Sequence, residues 1–415
     1  MYRKGSVLIR LTGRISQNKL SAITVPSTKY RIESIDILRG LIMLFMALDH
    51  TRDFFQAFSP KPTDLATTTP LLFFTRWITH FCAPLFVFLS GISVFLASTR
   101  RTKKQLTIFL IKRGIWLIAV EFVLISFAIT LDPHYQLLIF QIIWVIGVSM
   151  IILGLLIWVP LYILAAIGVI LFFGHDILNY IQLPAAGTSG FMWKFLFTAI
   201  ALFTQLNDSH SILVLYTLMP WMGVFFCGYV LGRVYHPSFA ILKRKKILLS
   251  AGAGLLALFF ILRMINLYGD PSPWSVQRDK TMTIISFFNA SKYPPSLIYL
   301  CMTIGPGLII LSVVENISNP FTRFLTVYGK VPLFYYVLHF YLLRFLNIIL
   351  FYAQGYGTNN IITPKSIMLF RPLEYGFNLL GVYLVWLLVI GILYFPCRWF
   401  GSYKRTHDQW WLSYL

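Results

Sequence analysis

SIDILRGLIMLFMALDHTRDFF, residues 34–55, reads as an apolar helix long enough to cross a membrane, yet it carries ionisable side chains near both ends. Arg39 and His50 are eleven positions apart, which at about 100° per residue returns them to within about 20° of one helix face, about 16 Å apart along the axis. Charged groups at membrane depth are costly, so they normally face a protein interior or a wet cavity. We therefore predict that this face lines a functional site.

The composition indicates a membrane protein. Of the 415 residues, 58% are hydrophobic, 17% are aromatic and only 12% are charged, and the mean hydropathy is +0.74; soluble domains do not combine these values. The formal charge of +21 comes from short basic runs between apolar segments, where they would face anionic lipid headgroups, so we expect lipid contact and no nucleic-acid partner. The four cysteines show no paired spacing, so neither a disulfide framework nor a metal site is expected.

The hydropathy pattern predicts an all-α, polytopic integral membrane helix bundle of about ten transmembrane helices, with an eleventh left open. The fourth and fifth spans are separated only by Gly154, and the short apolar segment 191–203 is expected to be an interfacial or re-entrant helix. The ten predicted spans are 35–55, 71–96, 106–130, 136–153, 155–173, 212–233, 247–268, 294–314, 325–350 and 375–394.

The distribution of Lys and Arg predicts the orientation. Alternate connections, together with both termini, hold 23 of the 35 Lys and Arg, so both termini are expected in the cytoplasm. The chain then divides into a basic cytoplasmic leader (1–33), a transmembrane domain (34–400) and a cytoplasmic tail (401–415). In this orientation Arg39 lies toward the cytoplasm and His50 toward the opposite face.

The second predicted span adds a second histidine. Arg76 and His80 are four residues apart and share one helix face, and Pro84 frees a backbone carbonyl near His80 that a neighbour or water must satisfy. His80 and His50 lie at comparable depth, so the two imidazoles are expected to face one cavity. The alternative is that each is a packing residue hydrogen-bonded to a backbone carbonyl.

The ninth span carries a third histidine at mid-depth. In YGKVPLFYYVLHFYLLR, residues 328–344, Tyr335 and Tyr336 lie one turn before His339, so a phenol and an imidazole could meet on one face. A structural histidine within an aromatic belt is the alternative. In the third span, Glu121 lies eight residues after Arg113, and an internal ion pair is an alternative to a catalytic role.

Several segments together resemble a known family. Arg39 and His50 reproduce the arginine, ten residues, histidine spacing in the first span of the membrane acyltransferase-3 family. The wider pattern is similar to bacterial proteins that resemble the catalytic domain of heparan-α-glucosaminide N-acetyltransferase. The matching segments are SIDILRGLIMLFMALDHTRDFF (34–55), THFCAPLFVFLSG (79–91), PWMGVFFCGYVLGR (220–233), KYPPSLIYLCMTIGPG (292–307), YGKVPLFYYVLHFYLLR (328–344) and the terminal WWLSYL (410–415).

The resemblance implies an acyltransferase of the bacterial inner membrane. It would move an acyl group, acetyl in the best-known member, from cytosolic acyl-CoA to an extracytoplasmic sugar, glycan or glycolipid, without a metal; homodimer formation is left open. A histidine would act as general base or as a transient acyl carrier. We predict His50, His80 and Asp49 as catalytic residues, with His50 as the first choice. We predict Arg39, Arg113 and Lys330 as CoA-binding residues, and Asp53, Arg76, Tyr336 and His339 as acceptor-binding residues.

The resemblance does not decide between His50 and His80. The best-known member has its key histidine in the connection between the first two spans, whereas this chain has no histidine between Thr51 and Thr79. The acyltransferase-3 spacing favours His50, and intramembrane depth favours His80. Two other classes stay open: a secondary transporter or exporter of a small molecule or lipid-linked sugar, favoured by buried charges and helix-breaking prolines, and a structural or sensory membrane protein.

Overall fold

The computed structural model describes residues 31–58, 60–180, 187–198, 202–361 and 368–413. The predicted leader, apart from residues 31–33, lies outside this range. Residues Glu33–Leu415 form one compact unit, to which the following description refers. Its α-helices are α1 (Glu33–Phe55), α2 (Pro70–Thr79), α3 (Cys82–Ser98), α4 (Lys103–Ala119), α5 (Ser126–Thr130), α6 (Ile142–Leu156), α7 (Leu161–Gly174), α8 (Gly187–Trp193), α9 (Leu218–Leu231), α10 (Ile241–Ile265), α11 (Lys280–Phe288), α12 (Leu297–Val313), α13 (Pro320–Gly329), α14 (Pro332–Ala353) and α15 (Leu379–Thr406).

The prediction of a mostly helical, multi-pass membrane protein is confirmed. Within the described residues, five helical segments are long and apolar enough to cross a membrane: Pro70–Ser98, Leu161–Leu178, Ile241–Ile265, Pro332–Ala353 and Leu379–Thr406. Two shorter apolar helices, α6 and α12, accompany them. Helix α1 is 23 residues long and carries ionisable side chains along its length. Each of the ten predicted spans overlaps one of these helices or the run from α4 to α5, although the ends differ by several residues.

A small sheet corrects the all-α prediction. Strands β1 (Leu137–Phe140), β2 (Leu202–Gln205) and β3 (Ser211–Val214) form one sheet in the order β1-β3-β2, in which β1 and β3 run parallel. Strands β1 and β3 are short and apolar and directly precede α6 and α9, so the predicted spans 136–153 and 212–233 include them. The segment 191–203 was predicted as one helix, but α8 continues only as a π-helical turn to Thr198 and residues 202–203 belong to β2.

The predicted break between the fourth and fifth spans lies in a different place. Gly154 is inside α6, where its carbonyl accepts a 2.9 Å hydrogen bond from the Thr107 hydroxyl of α4. The chain breaks instead at Pro160, which precedes α7. Proline lacks an N–H group and restricts the residue before it, whereas a glycine in a membrane helix lets a neighbouring helix approach closely.

Two glycines fix α1 against α13. A Cβ atom added to Gly40 would lie 2.0 Å from the Leu325 carbonyl oxygen, and one added to Gly329 would lie 1.9 Å from the Asp36 carbonyl oxygen. The two backbones therefore touch, and only glycine permits that approach. A similar close approach joins α3 to α9, where a Cβ on Gly228 would lie 2.1 Å from the Phe88 carbonyl oxygen.

A proline interrupts the second predicted span. Helices α2 and α3 are separated at His80 and Phe81, four residues ahead of Pro84. Pro84 has no N–H to offer the His80 carbonyl, and that oxygen instead accepts a 2.8 Å hydrogen bond from the Tyr299 hydroxyl of α12. The prediction that a neighbour must satisfy this carbonyl is confirmed.

Glu121 has a capping role in the structure. It lies in a π-helical turn, Val120–Ile125, between α4 and α5. Its Oε2 accepts hydrogen bonds from the backbone N–H groups of Ile143 and Trp144, at 3.1 and 3.3 Å. A carboxylate at a helix N-terminus satisfies backbone donors that have no partner within the helix, so this contact anchors α6 to the third span.

Candidate active site

A cavity of about 250 Å³ lies at the C-terminal end of α1. Its walls come from α1, α2, α14, the small sheet and the loop that precedes α12, so distant parts of the chain meet there. We call it the His50 cavity. It is lined by Asp49, His50, Asp53, Phe54, Arg76, Ile129, Ile139, Gln141, Leu213, Leu215, Tyr216, Lys292, Tyr293, Phe340 and Met368.

One wall of the His50 cavity is an ion-pair network centred on Asp49. The Asp49 carboxylate accepts hydrogen bonds from the Arg76 guanidinium and, at 3.0 Å, from the Thr79 hydroxyl. Arg52 Nη2 lies 3.0 Å from Asp49 Oδ1 and 2.7 Å from Asp53 Oδ1. Because the Asp49 side chain is only 9% exposed, the two guanidinium groups supply the charge that stabilises it. The network also fixes the end of α2 against α1.

His50 pairs with His339 and not with His80. His50 Nδ1 lies 2.7 Å from His339 Nε2, and the two rings stack with centroids 5.0 Å apart. His339 Nδ1 lies 3.2 Å from the Tyr335 carbonyl oxygen. A carbonyl can only accept, so His339 Nδ1 carries its proton and, in the neutral ring, Nε2 is an acceptor. His50 Nδ1 must then donate, which leaves Nε2 of His50 as an unprotonated nitrogen.

The buried position of His339 supports the neutral form. Its side chain is fully buried and contacts the aromatic rings of Tyr335, Tyr336 and Phe340. Within the part of the chain described, none of the ion pairs joins His339 to a carboxylate. An imidazolium without a counter-charge is disfavoured in such surroundings. The prediction that phenol and imidazole rings meet on α14 is confirmed, because the Tyr335 and Tyr336 rings contact that of His339. This contact lies outside the cavity lining.

His80 lies apart from the cavity lining. It is 1% exposed, and its ring packs edge-on against Tyr299 with centroids 5.5 Å apart. The expectation that His50 and His80 face one cavity is not met, because the His80 ring packs against Tyr299 of α12 and is not among the residues that line the His50 cavity. Tyr336 and His339 are also buried and do not line the cavity, whereas Asp49, Asp53 and Arg76 do.

The three residues that the sequence predicts to bind CoA lie on three different parts of the structure. Arg39 of α1 donates to the Asp36 carboxylate at 3.3 Å and to the Ser93 hydroxyl of α3. Lys330 follows Gly329, whose backbone touches that of Asp36, so Lys330 lies at the same end of α1 as Arg39. Arg113 lies on α4, which packs on α6. The structure thus brings two of the three cations to the end of α1 opposite His50.

The sequence analysis missed the loop that completes the cavity. Lys292 and Tyr293 line it, and the Lys292 ammonium lies 5.1 Å from the centre of the Tyr293 ring and 5.8 Å from that of Tyr216. The Tyr293 hydroxyl lies 3.4 Å from that of Tyr216. Burial acts to raise the pKa of Tyr293, but the cations of Lys292 and Arg76 outweigh it and lower that pKa below its usual value. The available signal is KYPP (292–295), in which a lysine lies five residues before the start of α12.

Within the described residues there is no group of three or more His, Cys, Asp or Glu side chains that could hold a metal ion. The cavity itself presents the His50 imidazole, for which the contact with His339 indicates one tautomer, beside a carboxylate held between two guanidinium groups. Such a site suits proton transfer or nucleophilic attack at a carbonyl.

Comparison with known protein families identifies the family of this chain. The family model described as heparan-alpha-glucosaminide N-acetyltransferase, catalytic, matches residues 31–262, more than half of the chain. The matched region contains Asp49, His50 and Arg76, whereas Lys292 and His339 lie beyond it. No curated protein matches the chain. The chain belongs to the heparan-α-glucosaminide N-acetyltransferase catalytic-domain family, a family of membrane transferases.

Proposed function

We propose that the protein transfers an acetyl or similar acyl group from cytosolic acyl-CoA to the amine or hydroxyl of an extracytoplasmic sugar or glycan. The observation that carries the proposal is that His50 lines a cavity and that its Nδ1 lies 2.7 Å from His339 Nε2. From this contact we infer that Nε2 of His50 is unprotonated. Family membership supports the reaction class. The acceptor and the histidine role are our inference.

In the first form of the mechanism, His50 is a general base. Nε2 takes the proton from the acceptor amine or hydroxyl as that group attacks the thioester carbonyl carbon. The new C–N or C–O bond forms, the C–S bond breaks, and the leaving CoA sulfur takes the proton back from the imidazolium. Asp49, one residue away, carries a negative charge that stabilises the transient imidazolium.

In the second form, His50 carries the acyl group. Nε2 attacks the thioester carbon directly, the C–S bond breaks, and CoA leaves as a thiolate. Because Nδ1 keeps its proton, the intermediate is an acyl-imidazolium. The acceptor attacks its carbonyl carbon, the C–N bond to His50 breaks to restore the neutral imidazole, and the acceptor proton passes to the CoA thiolate. Both forms depend on the same unprotonated nitrogen, so both depend on the tautomer that His339 selects.

The donor would approach from the opposite end of α1. Under the ten-span topology with cytoplasmic termini in a bacterial inner membrane, Arg39 and Lys330 face the cytoplasm, where with Arg113 they would bind the anionic part of CoA. Asp53 and Arg76 would contact the acceptor in the His50 cavity. The sequence predicted that His339 and Tyr336 contact the acceptor; we assign them instead to orienting His50. We assign His80 to packing.

The proposal is tested with purified protein in nanodiscs and labelled acetyl-CoA. Free CoA and labelled sugar are measured with glucosamine, methyl glucoside or no acceptor. We expect CoA release to rise when a sugar is added and the label to appear on the sugar. If the protein instead moves labelled sugar into sealed proteoliposomes without releasing CoA, it is a transporter and the proposal is refuted.

A further inference from the structure

We propose that the acceptor of this reaction carries a carboxylate or phosphate group, which binds Lys292 in the His50 cavity. The inference rests on the proposed function, because it specifies the acceptor. It is argued from the charges in the cavity wall, from the surroundings of Lys292 and from the way its loop is held.

The charges around the cavity do not balance. Asp49 is paired with Arg76 and Arg52, and Asp53 is paired with Arg52. The negative charges of these two carboxylates and the positive charges of these two guanidinium groups neutralise one another. Lys292 is the additional cation: it is 8% exposed, and none of the ion pairs of the described residues joins it to a carboxylate, although the Asp49 carboxylate acts on it from a longer distance. A mostly buried ammonium without a contact ion pair is costly, and an anionic ligand group would supply that contact.

The immediate surroundings of Lys292 form a recess suited to an anion. The ammonium lies over the Tyr293 and Tyr216 rings, whose electron-rich faces hold a cation without neutralising it. The Tyr216 and Tyr293 hydroxyls meet at 3.4 Å and provide hydrogen-bonding groups beside it. The Lys292 ammonium and these two hydroxyl groups therefore lie together in one part of the cavity wall.

The loop that presents Lys292 is held on both sides. Asp270 accepts hydrogen bonds from the Ser291 backbone N–H at 2.9 Å and from the Ser291 and Ser296 hydroxyls at 3.0 and 2.9 Å. Downstream, His175 Nε2 contacts the Pro295 carbonyl oxygen at 2.7 Å. A lysine carried on a loop fixed by several buried polar contacts is positioned for binding, since binding then costs little ordering entropy.

The size of the cavity limits what the anionic group can belong to. At about 250 Å³ it is at or below the lower end of small-molecule sites, which is about 300 Å³. One sugar unit with its acidic substituent is therefore the appropriate occupant, and the remainder of a longer glycan or a lipid carrier would lie outside.

The test compares sugars that share a ring and differ in charge. Binding of glucose, glucuronate, glucose 6-phosphate and inorganic phosphate to the purified full-length protein is measured by calorimetry. The variants are Lys292→Met, Lys292→Arg and, as a matched control, Lys280→Met at an exposed position. We expect at least one acidic sugar to bind about 10- to 100-fold more tightly than glucose, as a charge-assisted hydrogen bond provides. This preference should disappear in Lys292→Met, persist in part in Lys292→Arg and be unchanged in Lys280→Met.

Equal affinity for glucose and both acidic sugars, or a preference that survives in Lys292→Met, would overturn the inference. Inorganic phosphate that binds as tightly as the acidic sugars would also overturn it, because the site would then recognise a free ion and not an acceptor. The His50→Phe variant separates this result from the proposed function. Loss of acyl transfer with the charge preference intact supports both proposals, whereas a charge preference without any acyl transfer in the wild type supports only the subsite.

Discussion

Replacing His339 with leucine should slow acyl transfer although His339 touches no substrate. His339 Nε2 lies 2.7 Å from His50 Nδ1, and with His339 Nδ1 donating to the Tyr335 carbonyl oxygen, we infer that His339 Nε2 accepts and so selects the His50 tautomer with a free Nε2. Leucine removes the acceptor. A neutral hydrogen bond contributes about 0.5–1.5 kcal/mol, which corresponds to about a 2- to 13-fold change in rate if it acts fully on the active tautomer. We expect a decrease in kcat of at least this size with KM for acetyl-CoA little changed.

The matched variant is His339→Gln, whose side-chain carbonyl can also accept from His50 Nδ1. It should retain at least half of the wild-type kcat. Steady-state CoA release provides kcat and KM, and the thermal denaturation midpoint of each variant shows whether the fold is retained. Wild-type kcat in His339→Leu, or equal losses in the leucine and glutamine variants at equal stability, would refute the tautomer argument.

Two further predictions concern the groups around the site. Asp49→Asn should destabilise the protein by about 3–5 kcal/mol in thermal denaturation, because it leaves buried guanidinium groups without their charge partner. Asp53→Asn should cost less than about 1 kcal/mol, because the Asp53 carboxylate is 44% exposed. Equal destabilisation by the two substitutions would contradict the proposed ion-pair network. Tyr299→Phe should cost about 1–3 kcal/mol by leaving the His80 carbonyl unpaired. In a Pro84→Ala background, where residue 84 regains an N–H, that cost should fall by at least half, and a strictly additive double mutant would argue against this account.

Much of the helical framework was predictable from local pattern. Long apolar runs bounded by basic segments indicate membrane helices irrespective of tertiary contacts, and the ten expected spans each overlap helical structure. The freed carbonyl before Pro84 was also predictable, because proline removes a specific donor. The errors arose where several structures fit one short apolar run. LLIF and SILV became strands of one sheet by pairing with each other across more than seventy residues, which no local pattern records.

The candidate site was predictable only in part. The spacing of Arg39 and His50 located the important helix, and Asp49, Asp53 and Arg76 were found because charge is unusual at that depth. The pairing of His50 with His339 was not predictable, since it joins residues 289 positions apart. His80 was favoured on depth alone, but its ring packs against Tyr299 of α12, a contact between distant parts of the chain. Lys292 was missed because a lysine near a loop has an ordinary explanation, and its isolation over two tyrosine rings emerges only in three dimensions.

The central claim is that His50, and not His80, provides the reactive nitrogen. Its most direct test is the rate of acetyl-CoA-dependent transfer by His50→Phe and His80→Phe, both of which keep a ring and remove the imidazole. We expect His50→Phe to lose at least about 100-fold in kcat, the lower end of what a general base contributes, and His80→Phe to stay within about 10-fold of wild type. Undiminished turnover in His50→Phe, or a loss confined to His80→Phe, would contradict it.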